Sequence, residues 1–438
     1  MLDIRWLREH HDEAKKDFKK RQQHELSKLL EEALSLDKKQ RELMQESQEL
    51  RASRNKLTDQ VRELKKAGKE KEAHAVIKKA ASVPEEIAKI ETKIEKDASR
   101  IREILLGLPN LTDKSVPFGK DDTDNVEVRK WGKIQKFKFK PRDHVELLQT
   151  LDVADLERAA NAAGARFYYL KNELVRLQHG LLDFALDVLA DKRFTLLDTP
   201  YMLRKKMIEG ATSLADFEDT IYKIENEDLY MIPTSEHPIL ALHNSELLDN
   251  EQLPLLYAGV SPCFRKEAGA HGKDQKGIFR VHQFHKVEQF VFCRPEDSAK
   301  WHELLIKNIE FIFQELELPY RIVNVCTGDL GIVAAKKYDL EAWMPVQNAY
   351  REMGSCSNCH SYQAVRSGIR FRTGRKNAKG EDEKEWVHTL NSTALATPRI
   401  LAAILENFQQ EDGSVEVPKV LRKYANGLES IEPKKRVK

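Results

Sequence analysis

Three features of the sequence predict an α+β protein with a separate helical arm at its N-terminus. From about Glu25 to Ile104 the 438-residue chain has one glycine (Gly68), one proline (Pro84) and no aromatic residue, amid dense Glu, Lys, Arg, Leu and Ala. That composition forms helices. From Asp143 onward, helical patterns alternate with short β-rich runs joined by long connections, which favours a mainly antiparallel sheet over a doubly wound one. Neither GxGxxG nor GxxxxGK(S/T) occurs, so neither a Rossmann nor a P-loop nucleotide site is indicated.

Composition narrows the function classes. Hydrophobic residues make up 41% of the chain, enough for a large core. The 73 basic residues against 71 acidic ones leave a formal charge of only +2, so a uniformly basic nucleic-acid coat is excluded and any basic surface must be local. No run approaches eighteen consecutive apolar residues, and the N-terminus becomes charged before a signal-peptide core could form. A cytoplasmic protein with no membrane partner is expected. Five cysteines without a disulfide-like framework fit a reducing compartment and free thiols.

Within the helical stretch, Leu36, Leu43, Leu50, Leu57 and Leu64 recur every seven residues, as do Ile87, Ile94 and Ile101, with Ile90 and Ile104 at the three-residue offset. Two apolar stripes separated by Lys65-Lys66-Ala67-Gly68-Lys69 predict an antiparallel coiled-coil hairpin over about residues 25–104, turning at Gly68. At ~1.5 Å per residue, arms of roughly 40 residues make a rod about 60 Å long. From Arg62 to Lys79 there are seven basic residues against three acidic, so Lys65, Lys66 and Lys69 give the tip a charge suited to phosphates. A plain spacer or dimerisation rod would show the same heptads.

Residues 1–110 are thus expected to form the arm, and 111–141, which lose helical period and gain Pro, Gly, Asn and Asp, a linker. Residues 142–438 form the remaining domain. Its helical patterns fall near 152–163, 171–192 and 396–410, and its strand-like runs near 194–198, 228–232, 258–264, 279–292 and 320–326.

Ser261–Phe292 is the most informative stretch, two β-rich pieces around a Gly- and charge-rich loop at 268–277. Period two places Arg280, His282, Phe284, Lys286 and Glu288 on one face, with Arg265 and Glu267 ending the preceding strand. Arginine offers a planar fork to phosphate, Phe stacks on a purine and Glu holds an ammonium group. Alternation alone also fits a solvated face.

The string FRKEAGAHGKDQKGIFRVHQFHKVEQF at 264–290 closely resembles motif 2 of the seryl-tRNA synthetases, within the class II aminoacyl-tRNA synthetases. The resemblance runs over nearly the whole chain, through SVPFGKDDTDNVEVRKWG, MIPTSEHP, YREMGSCSN, TLNSTALATPRILAAILENFQ and VEVPKVLRKY. It implies an enzyme that activates L-serine with ATP to seryl-adenylate and transfers serine to tRNA(Ser), with tRNA(Sec) left open as a second acceptor. It further implies an arm that contacts tRNA, a catalytic domain on a mainly antiparallel sheet, and a homodimer built around motif 1, here Phe194–Pro200.

The resemblance carries roles residue by residue. Arg265, Lys266 and Glu267 match the ATP-contacting RxE, with Arg265 bridging the serine carboxylate and the α-phosphate. Arg280, Val281 and Phe284 fall in the ATP set, Phe284 as the stacking ring. Glu288 would hold serine with Thr234, Ser235 and Glu236, a segment that by itself also reads as a helix N-cap. Arg399 would bind the γ-phosphate at a helix start, and Asn391 and Thr393 would line the serine pocket. Glu352, Met353, Gly354 and Ser355 match an ATP segment in which Glu352 and Ser355 ligate Mg²⁺, a carboxylate and a hydroxyl of the hard-oxygen type Mg²⁺ prefers. Arg265, Glu288 and Arg399 are the expected catalytic residues. Asn391-Ser392-Thr393-Ala394 lacks the glycine of the general class II motif 3 and resembles the archaeal and eukaryotic side of the family.

Cys356-Ser357-Asn358-Cys359-His360 formally reads as a haem-attachment pattern. No haem is expected without export, and structural zinc is disfavoured because Cys263, Cys293 and Cys326 supply no second close pair. A catalytically inactive synthetase-like paralogue that binds RNA or modifies a carrier protein is the alternative class. Its mark would be loss of Arg265, Glu288, Glu352 or Arg399, and all four are present.

Overall fold

The computed structural model describes residues 1–212, 220–267, 276–376 and 379–434. Residues 268–275 of the loop expected within 268–277 lie outside them. The chain divides into two compact units, Met1–Leu111 and Thr112–Lys438.

The first unit is helical. Helix α1 (Ile4–Lys20) starts where the Asp3 side chain accepts the Arg5 N–H. The long helix α2 (Leu26–Lys66) then runs to the turn. There Gly68 adopts φ +72°, and the Lys69 N–H donates to the Leu64 carbonyl at 2.9 Å, closing the helix with the six-to-one bond of a glycine C-cap. The return arm differs from the single helix the heptads predict. It is split into α3 (Glu70–Ala80) and α4 (Val83–Gly107), because Pro84 lacks an N–H and its ring is tolerated only in the first turn of a new helix.

The seam buries Leu30 and Ala33 of α2 and Ile87, Ile90, Ile101 and Ile104 of α4, while the five heptad leucines are half-buried. Polar positions along it are bonded instead of bare. Asp37 takes a two-pronged bond from Arg8 at 2.8 and 2.7 Å, Gln40 Nε2 donates to the Ile94 carbonyl at 3.2 Å, and Arg100 pairs with Glu32 at 2.7 Å. Lys65, Lys66 and Lys69 stand exposed at the turn.

The second unit is α+β and is built on eight strands. In chain order they are β1 (Val126–Trp131), β2 (Thr195–Asp198), β3 (Leu255–Phe264), β4 (Gln283–Cys293), β5 (Tyr320–Asn324), β6 (Lys336–Met344), β7 (Ala349–Asn358) and β8 (His388–Ala396). Across the sheet the order is β1-β5-β6-β7-β8-β4-β3-β2, antiparallel throughout except for the β2–β3 pair at one edge. The edge strand β1 comes from the stretch expected to be a linker. Its Val-Glu-Val-Arg-Lys-Trp run alternates weakly and only its pairing with β5 makes it a strand.

Other boundaries also shift. The strand expected from 279 begins at Gln283, and the helix expected near 152–163 starts only at Leu156, where the Asp155 side chain accepts the Arg158 N–H. Helices α5 (Glu173–Asp191), α6 (Glu236–Leu242), α7 (Ser298–Glu315) and α8 (Thr397–Asn407) pack on the sheet. Leu177, Leu181, Ile309, Phe313, Leu401 and Leu405 belong to one core with Val287, Val291, Leu340 and Leu390 of the strands. Ile239 and Leu240 share a second with Phe290 and Phe292. Both faces are therefore covered.

Besides a shift between Glu127 and Arg129 on the edge strand β1, two register irregularities interrupt this sheet, one between Leu340 and Glu341, opposite Gly354 and Glu352, and one between Thr393 and Leu395, opposite Glu288 and Val287. Each re-aims side chains toward the same cleft.

Ile101 is 7% exposed in the arm's seam, so Ile101→Ala should destabilise the arm by about 2–5 kcal/mol. Hydrogen exchange on the full chain should show faster exchange of α2 and α4 amides, with the β4 and β8 amides unchanged.

Candidate active site

The cleft takes its walls from the end of β3, from β4, β7 and β8, and from the start of α8. Two adjoining cavities of about 180 and 650 Å³ share Thr234, Glu236, Arg265, Glu267, Ser355 and Asn391. The smaller adds Arg280, Val281, Phe284, Glu288, Glu352, Met353, Gly354, Thr393 and Arg399. The structure thus gathers all but two of the residues to which the resemblance gives a serine, ATP or metal role, from segments up to 165 positions apart.

The two exceptions are Ser235 and Lys266. Ser235 is fully buried, and its Oγ donates to the Gly259 carbonyl at 3.0 Å, so it anchors α6 to β3 and does not face the cleft. Lys266 follows Arg265 with its backbone N–H on the Thr220 carbonyl at 2.8 Å, and its side chain does not line either cavity. His282, placed by alternation on the Phe284 face, instead meets the Arg265 carbonyl at 2.8 Å and stacks on Phe167 at 5.1 Å. Alternation fails there because the ladder of β4 starts one residue later.

Charge is sorted within the cleft. At its inner end Glu288 forms a buried ion pair with Lys286, and Thr393 Oγ1 lies 3.4 Å from Glu288 Oε2. Glu236 Oε1 accepts from Gln363 Nε2 at 2.7 Å and Asn391 Nδ2 at 3.1 Å. Burial, reinforced by the neighbouring Glu288 charge, pushes the Glu236 carboxyl up to about 7. Two carboxyls with a hydroxyl and an amide make a small pocket for an ammonium group and a hydroxyl.

The outer end is built for a planar ring and phosphates. Arg265 donates from Nε to the Pro233 carbonyl at 3.2 Å, which holds its guanidinium 5.3 Å from the Phe284 ring centre. Arg280 pairs with Glu267 at 3.6 Å. Arg399 lies 5.5 Å from the centre of the Phe279 ring, donates to the Glu352 carbonyl oxygen at 3.0 Å and pairs with its carboxylate at 3.4 Å. Its charge holds the Glu352 carboxyl below the usual range. Arg399 sits in the first turn of α8, where the helix dipole adds a second preference for anions.

The donors near Glu352 suit a hard cation. Ser355 lines both cavities and is paired in register with Asp339, whose Oδ1 is buried without a partner while its other oxygen faces Lys337 at 3.4 Å. Among the described residues no three His, Cys, Asp or Glu side chains gather to hold a metal alone, so a hard cation bound here would take further oxygen ligands from outside the protein.

Family models match both units, with the seryl-tRNA synthetase N-terminal domain over residues 1–112 and the tRNA synthetase class II core domain (G, H, P, S and T) over residues 220–408. A serine–tRNA ligase of Thermococcus sibiricus is 52% identical over 458 residues, covering 100% of this chain and 99% of that one. The chain belongs to the seryl-tRNA synthetase family. Among solved structures, the Pyrococcus horikoshii seryl-tRNA synthetase complexed with ATP is similar at a TM-score of 0.91 and 50% identity, covering 99% of this chain and 100% of that one. The cytoplasmic Naegleria fowleri serine–tRNA ligase in complex with AMP follows at 0.85 and 33%, covering 99% of each chain.

Several cleft residues of this synthetase-family chain escaped the sequence reading. Lys286 lay on the alternating face and Phe279 inside the recognised string, so both carried a signal that went unused. His237 likewise lay inside the quoted MIPTSEHP string, whereas the 330–334 wall of the larger cavity carried no signal. His237 is driven to about 3 by burial and stays neutral. The cysteines of CSNCH part company: Cys356 Sγ donates to the His302 carbonyl at 3.6 Å in the core, whereas Cys359 faces the larger cavity and accepts from Asn391 Nδ2 at 3.5 Å.

The raised Glu236 carboxyl fixes a sign. Below its unfolded value near 4.5 it is protonated in both states, and as pH rises toward about 7 the unfolded chain ionises first, so stability is lost across that window. The unfolding free energy of the wild type minus that of Glu236→Gln should fall between pH 4.5 and 7 and then level off. Urea titrations at several pH values check this, and a rising difference would contradict the assignment.

Proposed function

We propose that this chain is a serine–tRNA ligase, activating L-serine with ATP to seryl-adenylate and transferring serine to tRNA(Ser), with tRNA(Sec) a further acceptor to be tested. The observation that carries the reading is the junction, through Arg265, of a small acidic, hydroxyl-bearing pocket with an arginine- and phenylalanine-lined slot. Full-length similarity to proteins named serine–tRNA ligase at about half identity supports the choice of amino acid.

In this reading Glu288, Glu236 and Thr234 hold the serine ammonium and hydroxyl, with Thr393 and Asn391 beside them. Phe284 offers the face not covered by Arg265 to the adenine, Glu267 and the Val281 backbone hold its edge, and Met353 and Gly354 floor the slot. The serine carboxylate attacks the α-phosphorus in line and pyrophosphate leaves. Arg265 neutralises the carboxylate and α-phosphate, while Arg280 and Arg399 take the outer phosphates. A hydroxyl of the tRNA 3′-terminal ribose then attacks the acyl carbon and AMP departs. No covalent enzyme intermediate is required, since positioning and charge neutralisation account for the rate. Mg²⁺, held by Glu352 and Ser355, would supply further neutralisation of phosphate charge.

Residues 1–110 are proposed as the tRNA-binding arm, with Lys65, Lys66 and Lys69 meeting phosphates, and 142–438 as the catalytic domain. A homodimer is proposed at the open edge strand β2, beside which Leu196, Tyr201 and Met202 are exposed. No helix among the described residues is long and apolar enough to cross a membrane. The cytoplasm is proposed as the location, where tRNA and ATP are both supplied.

Serine should drive ATP–pyrophosphate exchange, and alanine should be rejected by about 10³-fold or more because it leaves the pocket's polar groups unpaired. Glu352→Gln should slow exchange by about 100-fold or more. Equal rates with alanine and serine would overturn the pocket assignment.

Changing Lys65, Lys66 and Lys69 together to Glu should weaken tRNA charging by about tenfold or more at low salt and flatten its salt dependence, with serine-dependent exchange intact. Unchanged charging would make the arm's tip a bystander.

A further inference from the structure

We infer that Gln363, which lines neither cavity, is a positioning residue for the amino-acid pocket, fixing the Glu236 carboxyl so that its Oε2 alone is left for the substrate. The inference rests on the reading of that pocket as the site of serine.

Gln363 is fully buried on the short helix Tyr362–Ser367. Its Nε2 lies 2.7 Å from Glu236 Oε1 and 3.2 Å from the Ala211 carbonyl oxygen, and its Oε1 accepts from Thr389 Oγ1 at 2.7 Å. A backbone carbonyl only accepts, so the Ala211 oxygen decides which end of the amide is the NH₂ group. Both N–H bonds are then spent, one on Ala211 and one on Glu236. Asn391 Nδ2, from β8, delivers a second N–H to the same Glu236 Oε1 at 3.1 Å. Two donors from different elements saturate that oxygen and hold the carboxyl in one rotamer, whatever its charge. The lone pairs of Oε2 remain. Thr389 of β8, Gln363, Glu236 at the start of α6 and the Ala211 carbonyl thus form one chain of bonds that transmits the rigidity of the sheet to a single carboxyl oxygen.

Gln363→Met conserves shape and removes the amide. In ATP–pyrophosphate exchange with serine, it should raise the KM for serine about 10- to 100-fold, the loss expected for a misplaced charge-assisted hydrogen bond, with the KM for ATP within about twofold. In a Glu236→Gln background, which removes the Oε2 acceptor, the same change should add less than about twofold. Thr389→Val, which frees only the amide oxygen, should raise the serine KM about threefold and serves if Gln363→Met does not fold. Parallel rises in both KM values, multiplicative effects in the double variant, or an unchanged serine KM in the single variants would overturn the inference. A wild type that does not use serine would instead overturn the reading on which it rests.

Discussion

Lys286 and Glu288 lie on β4 with 4% and 2% of their surface exposed, paired with each other inside an eight-stranded sheet. Charges placed so deep persist only if each has a partner, and a buried pair seldom repays its own desolvation. The surrounding structure answers that constraint. Thr393 approaches Glu288 from β8, Gln363 and Asn391 satisfy Glu236, and Glu236, through its burial first and the Glu288 charge second, holds its proton to about pH 7. The pocket's polarity is therefore costly to the fold and is recovered when a ligand brings complementary charge.

Backbone irregularity serves the same end. A regular ladder would turn Glu352 and Thr393 in and out by strict alternation, and the two register shifts break it where β7 and β8 pass the cleft. Gly354 belongs to this arrangement. A Cβ there would sit 3.0 Å from Thr393 Cβ and 3.2 Å from the Thr393 carbonyl oxygen, so a side chain would need Thr393 to give by a few tenths of an ångström beside the pocket. Arg399, in the first turn of α8, reaches back to the Glu352 carbonyl and ties the helix to the bulged strand. Two opposed charges, Arg399 and Glu352, thereby meet at the outer end and stand apart from the acidic inner pocket.

The arm follows different physics. Its seam is thin, with half-buried leucines and polar residues at alternate layers, and it is held in register by specific bonds such as those of Asp37, Gln40 and Arg100. Such a seam is weak as a free dimer and adequate when a glycine turn supplies the second strand from the same chain.

What the sequence determined by itself was whatever short-range chemistry writes directly. The arm's helices follow from heptads and composition, its turn from Gly68, and the part of the cleft between Arg265 and Glu288 from one long string. Arg280, Phe284 and Glu288 were legible because period two and residue type agree. The tertiary structure decided what depends on partners distant in the chain. Val126–Trp131 is a strand only because β5 offers it an edge, Ser235 turns inward because Gly259 leaves room and a carbonyl, and Gln363 matters only because Ala211, Thr389 and Glu236 converge on its amide. A hydrogen bond between residues 127 positions apart leaves no periodic trace, since its free energy is set by burial and geometry that exist only after the sheet has closed.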